Sequence, residues 1–241
     1  LSHLRQGLGL GLQFSILAVG IIVMQGAVVR FDIAENGIMV PGTPAQNGFS
    51  AANKLINFLM ALYNGLASAI LGFNAQNYGK SDYRRIRQGT RQSLIIMLIM
   101  YAFCLTAGLL LSIGGAYQHI FMSEDKISEA SVRFGNTYLY VDFILYFILG
   151  FLIVTRSAVQ GITKVGYVLG AGVAELVSRV LICAYLPALV NGSATDASAS
   201  LASFAAVCFG DPGAWLLASL VLLVPTVKYI FRMQYKKEVS G

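Results

Sequence analysis

The chain has 241 residues, 56% of them hydrophobic and 12% charged, with a mean hydropathy of +0.69. Soluble domains carry roughly twice that charged fraction, about 25%, so too little charge exists to coat a globular surface and most of the exterior is expected to face lipid. The net charge of +6 does not point to nucleic acid, because the cations segregate by loop instead of building a binding face.

A helix needs about 20 mostly apolar residues to cross the hydrocarbon core. Six stretches qualify, 8–30, 48–76, 92–115, 136–162, 167–190 and 213–232. They are rich in Leu and Ala and lack a two-residue alternation, which argues for helices over strands. The fold class is an all-α polytopic membrane protein, with residues 1–241 forming one six-helix unit. The chain begins at Leu1 without a methionine, and its first apolar run is too long for the core of a signal peptide. The start therefore reads as the middle of a longer protein.

The first span carries Gly7, Gly9, Gly11, Gly20 and Gly26, small residues of the kind that let helices approach closely in lipid. Gln13 and Gln25 interrupt it. Each amide is expected to face protein or water, either as interhelical glue or as the wall of a pathway. Residues 32–48 contain Pro41 and Pro44 and read as an external loop. On the second span Asn53, Asn57 and Asn64 fall on one face, Lys54 is placed to snorkel outward, and Gly65, Gly72 and Gly79 suggest packing.

The stretch Asn74–Arg91 holds Lys80, Arg84, Arg85, Arg87 and Arg91 against the single acid Asp82. A short basic loop between apolar segments marks the cytoplasmic side. The third span is nearly pure lipid-facing sequence, and the loop after it, with Glu124, Asp125 and Glu129, returns to the outside. The fourth span carries Asp142 near its outer end and Arg156 near its inner end. The fifth has Glu175 and Arg179 one turn apart near the bilayer centre, in the favourable order for a pair. Arg156 is within reach of Glu175. The three charges form an intramembrane cluster that either ties helices together or responds to an ion.

Residues 191–213 are Ser- and Ala-rich, include Asp196 and Asp211, and read as an external loop containing Cys208. Trp215 then opens the last span as an interfacial anchor. Lys228, Arg232, Lys236 and Lys237 close it on the cytoplasmic side. Cys104, Cys183 and Cys208 have neither disulfide nor metal spacing. His3 and His119 are the only histidines, and no nucleophile–base pair or phosphate-binding glycine loop accompanies them, so neither an enzyme, a cofactor nor an ATP-driven motor is indicated.

The run GLQFSILAVGIIVMQGAVV, followed by FSAANKLINFLMALYNGLASAILGFNAQNYGKSDYRRIRQG, resembles the seventh and eighth helices of multidrug and toxic compound extrusion (MATE) transporters. QNYG followed by the spaced Arg-Arg-x-Arg turn is its most specific part. LIVTRSAVQG, AELVSR and PGAWLLA are similar to the tenth, eleventh and twelfth. The resemblance covers nearly the whole chain and corresponds to the carboxy-terminal lobe, half of a twelve-helix architecture. It implies a secondary antiporter of the plasma membrane that exports organic, often cationic compounds in exchange for protons or sodium. Two lobes would alternate access around a central cavity. It implies Gln13, Gln25, Asn57, Tyr138 and Asp142 as wall residues. The sodium-coupled branch has carboxylates in its seventh and tenth helices. Here the first span has no acid, and Asp142 lies about two turns outward of the motif position, so the coupling ion stays open. A lone lobe leaves its partner-facing side exposed, which calls for a missing amino-terminal lobe or a homodimer mate. A lipid-linked precursor flippase of the same superfamily and a non-transporting membrane subunit are the competing readings.

Overall fold

The computed structural model describes residues 2–232, and the side chains of residues 2–6, 8–10, 13 and 14 fall outside that description. Lys236 and Lys237, counted above with the basic end, lie outside it too. Long helices run up and down: α1 (Ser2–Val29), α2 (Pro44–Gly79), α3 (Tyr83–Ser112), the short α4 (Ala116–Phe121), α5 (Glu129–Gly161) and α6 (Val165–Asn191). The last span is α7 (Leu201–Cys208) continued by α8 (Gly210–Pro225) and a π-helical turn at Thr226–Phe231. Among the described residues, six helices are long and apolar enough to cross a membrane, and the only β pairing is an isolated bridge between Ile33 and Met39.

Helix ends differ from the sequence reading where caps hide in polar stretches. α5 begins seven residues earlier than position 136, because Ser128 and Ser131 cap each other's backbone amides reciprocally. α3 begins at Tyr83, since Asp82 accepts the Arg85 amide at 3.0 Å. The basic segment is therefore mostly helix, and only Lys80–Asp82 lie between α2 and α3. The stretch 191–213 is no continuous loop. Ser200 caps α7 through the Ser203 amide, and the last span runs from Leu201 to Phe231. Cys208 is buried in α7.

α5 is the central helix, packed on α2, α3 and α8. Its closest approach to α2 is glycine on glycine. A Cβ on Gly135 would lie 2.8 Å from the Gly48 carbonyl oxygen, and one on Gly48 would meet the Ser131 carbonyl. Only hydrogen at both positions lets the backbones touch. Most of the glycines expected to pack do not pack among the described residues: a Cβ on Gly7, Gly11, Gly26, Gly65, Gly72 or Gly79 would meet nothing within 4 Å. α3 exposes one long apolar face, with Ile95, Ile99, Phe103 and Leu110 all more than half exposed, and buries the opposite one, including Ile86, Met97 and Cys104.

At one end, the turns α2–α3 and α5–α6 and the end of the last span come together: Gly161 packs on Leu71 and Asn74, and Lys164 and Tyr167 pack on Tyr229. That end carries Lys80, Arg84, Arg85, Arg87, Arg91, Lys164, Lys228 and Arg232. The opposite end carries Asp32, Glu35, Glu124, Asp125, Glu129 and Asp196. The acids there do turn chemistry. Asp32, fully buried, accepts the Ala45 and Gln46 amides at 2.9 Å each and the Gln46 side chain at 3.1 Å, so it caps α2 from a distance. Asp196 accepts the Ser198 hydroxyl and amide, and these donors hold its carboxyl below the usual carboxylate range.

A candidate ion and substrate pocket

Three helices bring charge into one cavity. Arg179 lies at the midpoint of α6, and α8 starts beside it, with Gly210 packed on the Arg179 stem and on Cys183. Asp211 therefore stands deep in the span. The sequence reading assigned it to an external loop, and the structure corrects this. The Arg179 guanidinium donates to Asp211 Oδ1 from Nη2 at 2.6 Å and from Nε at 3.1 Å. The Tyr138 hydroxyl donates to Asp211 Oδ2 at 2.7 Å. Both Asp211 oxygens are thus satisfied. Gly20 of α1 makes room for the arginine, since a Cβ there would lie 2.6 Å from Arg179 Nη1.

Glu175, one turn earlier on α6, forms an ion pair with Arg156 of α5. That pairing was legible in the sequence. The expected Glu175–Arg179 pair within α6 does not form, because the two side chains engage different neighbours, α5 and α8. Two cross-helix ion pairs result, each at least partly buried. An intramembrane charge left unpartnered costs about 2.5–3.5 kcal/mol on insertion scales, which explains why neither arginine is alone.

Asp142 is different. It is fully buried, and neither carboxylate oxygen has a hydrogen-bond partner among the protein's own atoms. It sits about 20 Å along α5 from Glu129 at about 1.5 Å per residue, near the middle of the helix and not at its outer end. Asp142, Tyr138, Arg156, Glu175, Arg179 and Asp211 line a single cavity of about 190 Å³, walled also by Leu17, Ile21, Asn53, Ile56, Asn57, Met60, Leu149, Leu152, Ile153 and Trp215. Arg156 Nε is likewise buried and unpartnered.

Of the residues singled out from sequence, Asn57, Tyr138, Asp142, Arg156, Glu175 and Arg179 meet in this cavity. Asn57 is exposed at its rim, bonded to Asn53 Oδ1 at 3.0 Å. Gln25 is exposed on α1 and does not line the cavity. The side chain of Gln13 lies outside the described residues. Two lining residues escaped the sequence reading. Asp211 was masked by its Gly-Asp-Pro-Gly surroundings, although the apolar run Phe204–Phe209 before it signalled a longer span. Trp215 was read as an interfacial anchor. It is instead 6% exposed, its ring edge-on to Tyr146 at 6.1 Å. Among the described residues no cluster of His, Cys, Asp and Glu suits a metal ion.

The helices are long and apolar enough to cross a membrane, and they enclose a cavity lined by charged side chains. The MatE family profile matches residues 39–185, more than half of the chain and most of the cavity-lining set. The chain belongs to the MatE family of transporters. Comparison with curated proteins finds no match, and comparison with solved structures finds none either. The match runs from the segment just before α2 into α6. Asp211 and Trp215 lie beyond it.

Proposed function

We propose that the chain is one lobe of a secondary antiporter that exports organic cations in exchange for a proton or a sodium ion, with Asp142 as the exchange site. The observation carrying this reading is the unpartnered, buried Asp142 carboxylate beside a fully satisfied Asp211. A buried carboxylate without partners is tolerated only when it holds a proton or a cation. Both neighbouring acids already have arginine partners, so exchange falls to Asp142.

The cavity's charge count sharpens the point. Three carboxylates (Asp142, Glu175, Asp211) face two guanidiniums (Arg156, Arg179), leaving one negative charge in excess. One proton, one sodium ion or one monocationic substrate balances it, and any one excludes the others electrostatically. Mutual exclusion at one site is the minimal requirement for antiport. A net negative cavity disfavours a lipid-linked pyrophosphate, so the flippase reading is the weaker one. Asn57, Asn64 and Ser68 on the open face of α2, with the open glycine faces of α1, support a second six-helix unit lying there, either an amino-terminal lobe or a second copy. The basic end favours a cytoplasmic C-terminus in the plasma membrane.

The test is proton release from purified protein in weakly buffered detergent solution on addition of tetraphenylphosphonium. Release that saturates with the cation and disappears in Asp142→Asn supports the reading, and sodium replacing the proton would identify the sodium-coupled variant. Undiminished release from Asp142→Asn, or cation binding without any ion exchange, would sink it. The second of these outcomes would favour a non-transporting subunit.

A further inference from the structure

The basic end of the last span holds a second feature that exchange at Asp142 does not use. After Pro225 the helix widens into the π-helical turn Thr226–Phe231. Leu223, Val224 and Val227 form an apolar trough along the outside of the bundle, and Lys228 and Arg232 stand at its end, around roughly open space of about 570 Å³. Lys164, from the α5–α6 turn, brings its ammonium to 4.8 Å from the Tyr229 ring centroid, and the Lys228 ammonium lies 5.2 Å from the same ring. Two cations thus gather around one aromatic side chain, and Arg232 stands beside Lys228 at the end of the trough. Among the described residues none of them makes an ion pair. Asp82, the acid among the described residues at this end, is already engaged as the cap of α3.

We propose that this trough binds an acidic phospholipid, with an acyl chain along Leu223, Val224 and Val227 and the headgroup phosphate between Lys228 and Arg232, within reach of Lys164. The shape and the charge have to agree for this assignment, and here they do. The apolar wall faces the hydrocarbon side of a membrane-spanning helix, and the cations begin where the span ends. Clustered cations at that level attract anionic headgroups, each adding about fivefold to affinity. A second trough, on α6 at Leu181, Ile182, Tyr185, Leu186 and Leu189, shows the contrast: it offers no cation, and any lipid chain suits it equally. Lys228 and Arg232 supply the selection for negative charge.

The test is native mass spectrometry of the purified full chain, titrated with dioleoyl phosphatidylglycerol, dioleoyl phosphatidylcholine or inorganic phosphate. One phosphatidylglycerol should be retained, phosphatidylcholine should not, and phosphate alone should neither bind nor compete. Lys228→Gln with Arg232→Gln should weaken retention about 25-fold. Val224→Trp fills the trough without touching charge and should weaken it as well. Arg84→Gln with Arg91→Gln, removing two cations from the start of α3, should leave it unchanged. Retention equal to wild type in the first variant overturns the proposal. So does competition by phosphate together with full retention in Val224→Trp, which would mean an ion site only, or equal loss from the α3 variant, which would mean diffuse attraction. Should the double variant prove polydisperse, Val224→Trp decides alone.

Discussion

Two aspartates in this molecule are fully buried, and they live in opposite circumstances. Asp32, at the acidic end, receives two backbone amides and one side-chain amide. Asp142, near the middle of α5, has no hydrogen-bond partner of its own, because the neighbouring Tyr138 hydroxyl donates to Asp211. Burial is the same, so burial alone says little about role. The difference is satisfaction. A carboxylate whose lone pairs are filled by fixed donors has its charge compensated by the fold and no reason to exchange it. One without donors depends on something that comes and goes. Asp211 is the intermediate case, as deeply placed as Asp142 but held by Arg179 and Tyr138. On the proposed reading, the contrast between Asp142 and the other two separates a site from the scaffold that holds it.

The largest effect should come from breaking that scaffold. Arg179→Met leaves Asp211 without its guanidinium, and removing one partner of a buried pair costs about 3–5 kcal/mol. Unfolding in mixed micelles should show the loss, and Arg179→Met combined with Asp211→Leu should recover most of it. If the double variant is no more stable than the single one, the pair is not what makes the site rigid. Next comes Asp32→Ala, which orphans two amides at the start of α2 and should cost about 2 kcal/mol, within the range for lost caps and unsatisfied donors. Proton release should survive in the folded fraction. A variant that stays stable but stops exchanging ions would erase the distinction between the two aspartates.

Asp142→Asn should behave in the opposite sense. It replaces a buried carboxyl that has no hydrogen-bond partner to lose, so stability should change by less than about 1 kcal/mol, while exchange disappears. A loss comparable to Asp32→Ala would mean that Asp142 is structural after all.

How much of this was legible from sequence follows the same physics. The six spans could be read because apolar length is a strong signal, and the Arg156–Glu175 pair because charges inside a membrane must find partners. Asp211 was hidden by residues that also make turns: Gly210, Pro212 and Gly213 look like a loop, yet a proline in the first turn of a helix costs no hydrogen bond, and the two glycines fit against Cys183 and Ile182. The partner of Arg179 was misread for a related reason. Helical spacing offered Glu175 four residues away, but cross-helix geometry gave each charge a different neighbour. Local rules could not choose between them, because the choice depends on where α8 begins. The glycines singled out on α1 and α2 announced close packing correctly as a type and mostly wrongly as a place: Gly20, on Arg179, uses its missing side chain, whereas the close approach of α2 to α5 falls at Gly48.

The smallest predicted effect tests where the pathway's wall ends. Asn57 stands at the rim of the cavity, with its amide held by Asn53, whereas Gln25 is exposed on α1 outside it. Losing a hydrogen-bonding group that touches a bound cation's shell costs about 1 kcal/mol, roughly fivefold in affinity. Asn57→Ala should therefore weaken tetraphenylphosphonium binding about fivefold with stability within about 0.5 kcal/mol of wild type, and Gln25→Ala should change neither. Equilibrium dialysis with the labelled cation measures both. The reverse ranking would move the substrate out of the charged cavity and onto the open face shared by α1 and α2, and Asp142 would then act on the ion alone, at a distance from the compound it helps to expel.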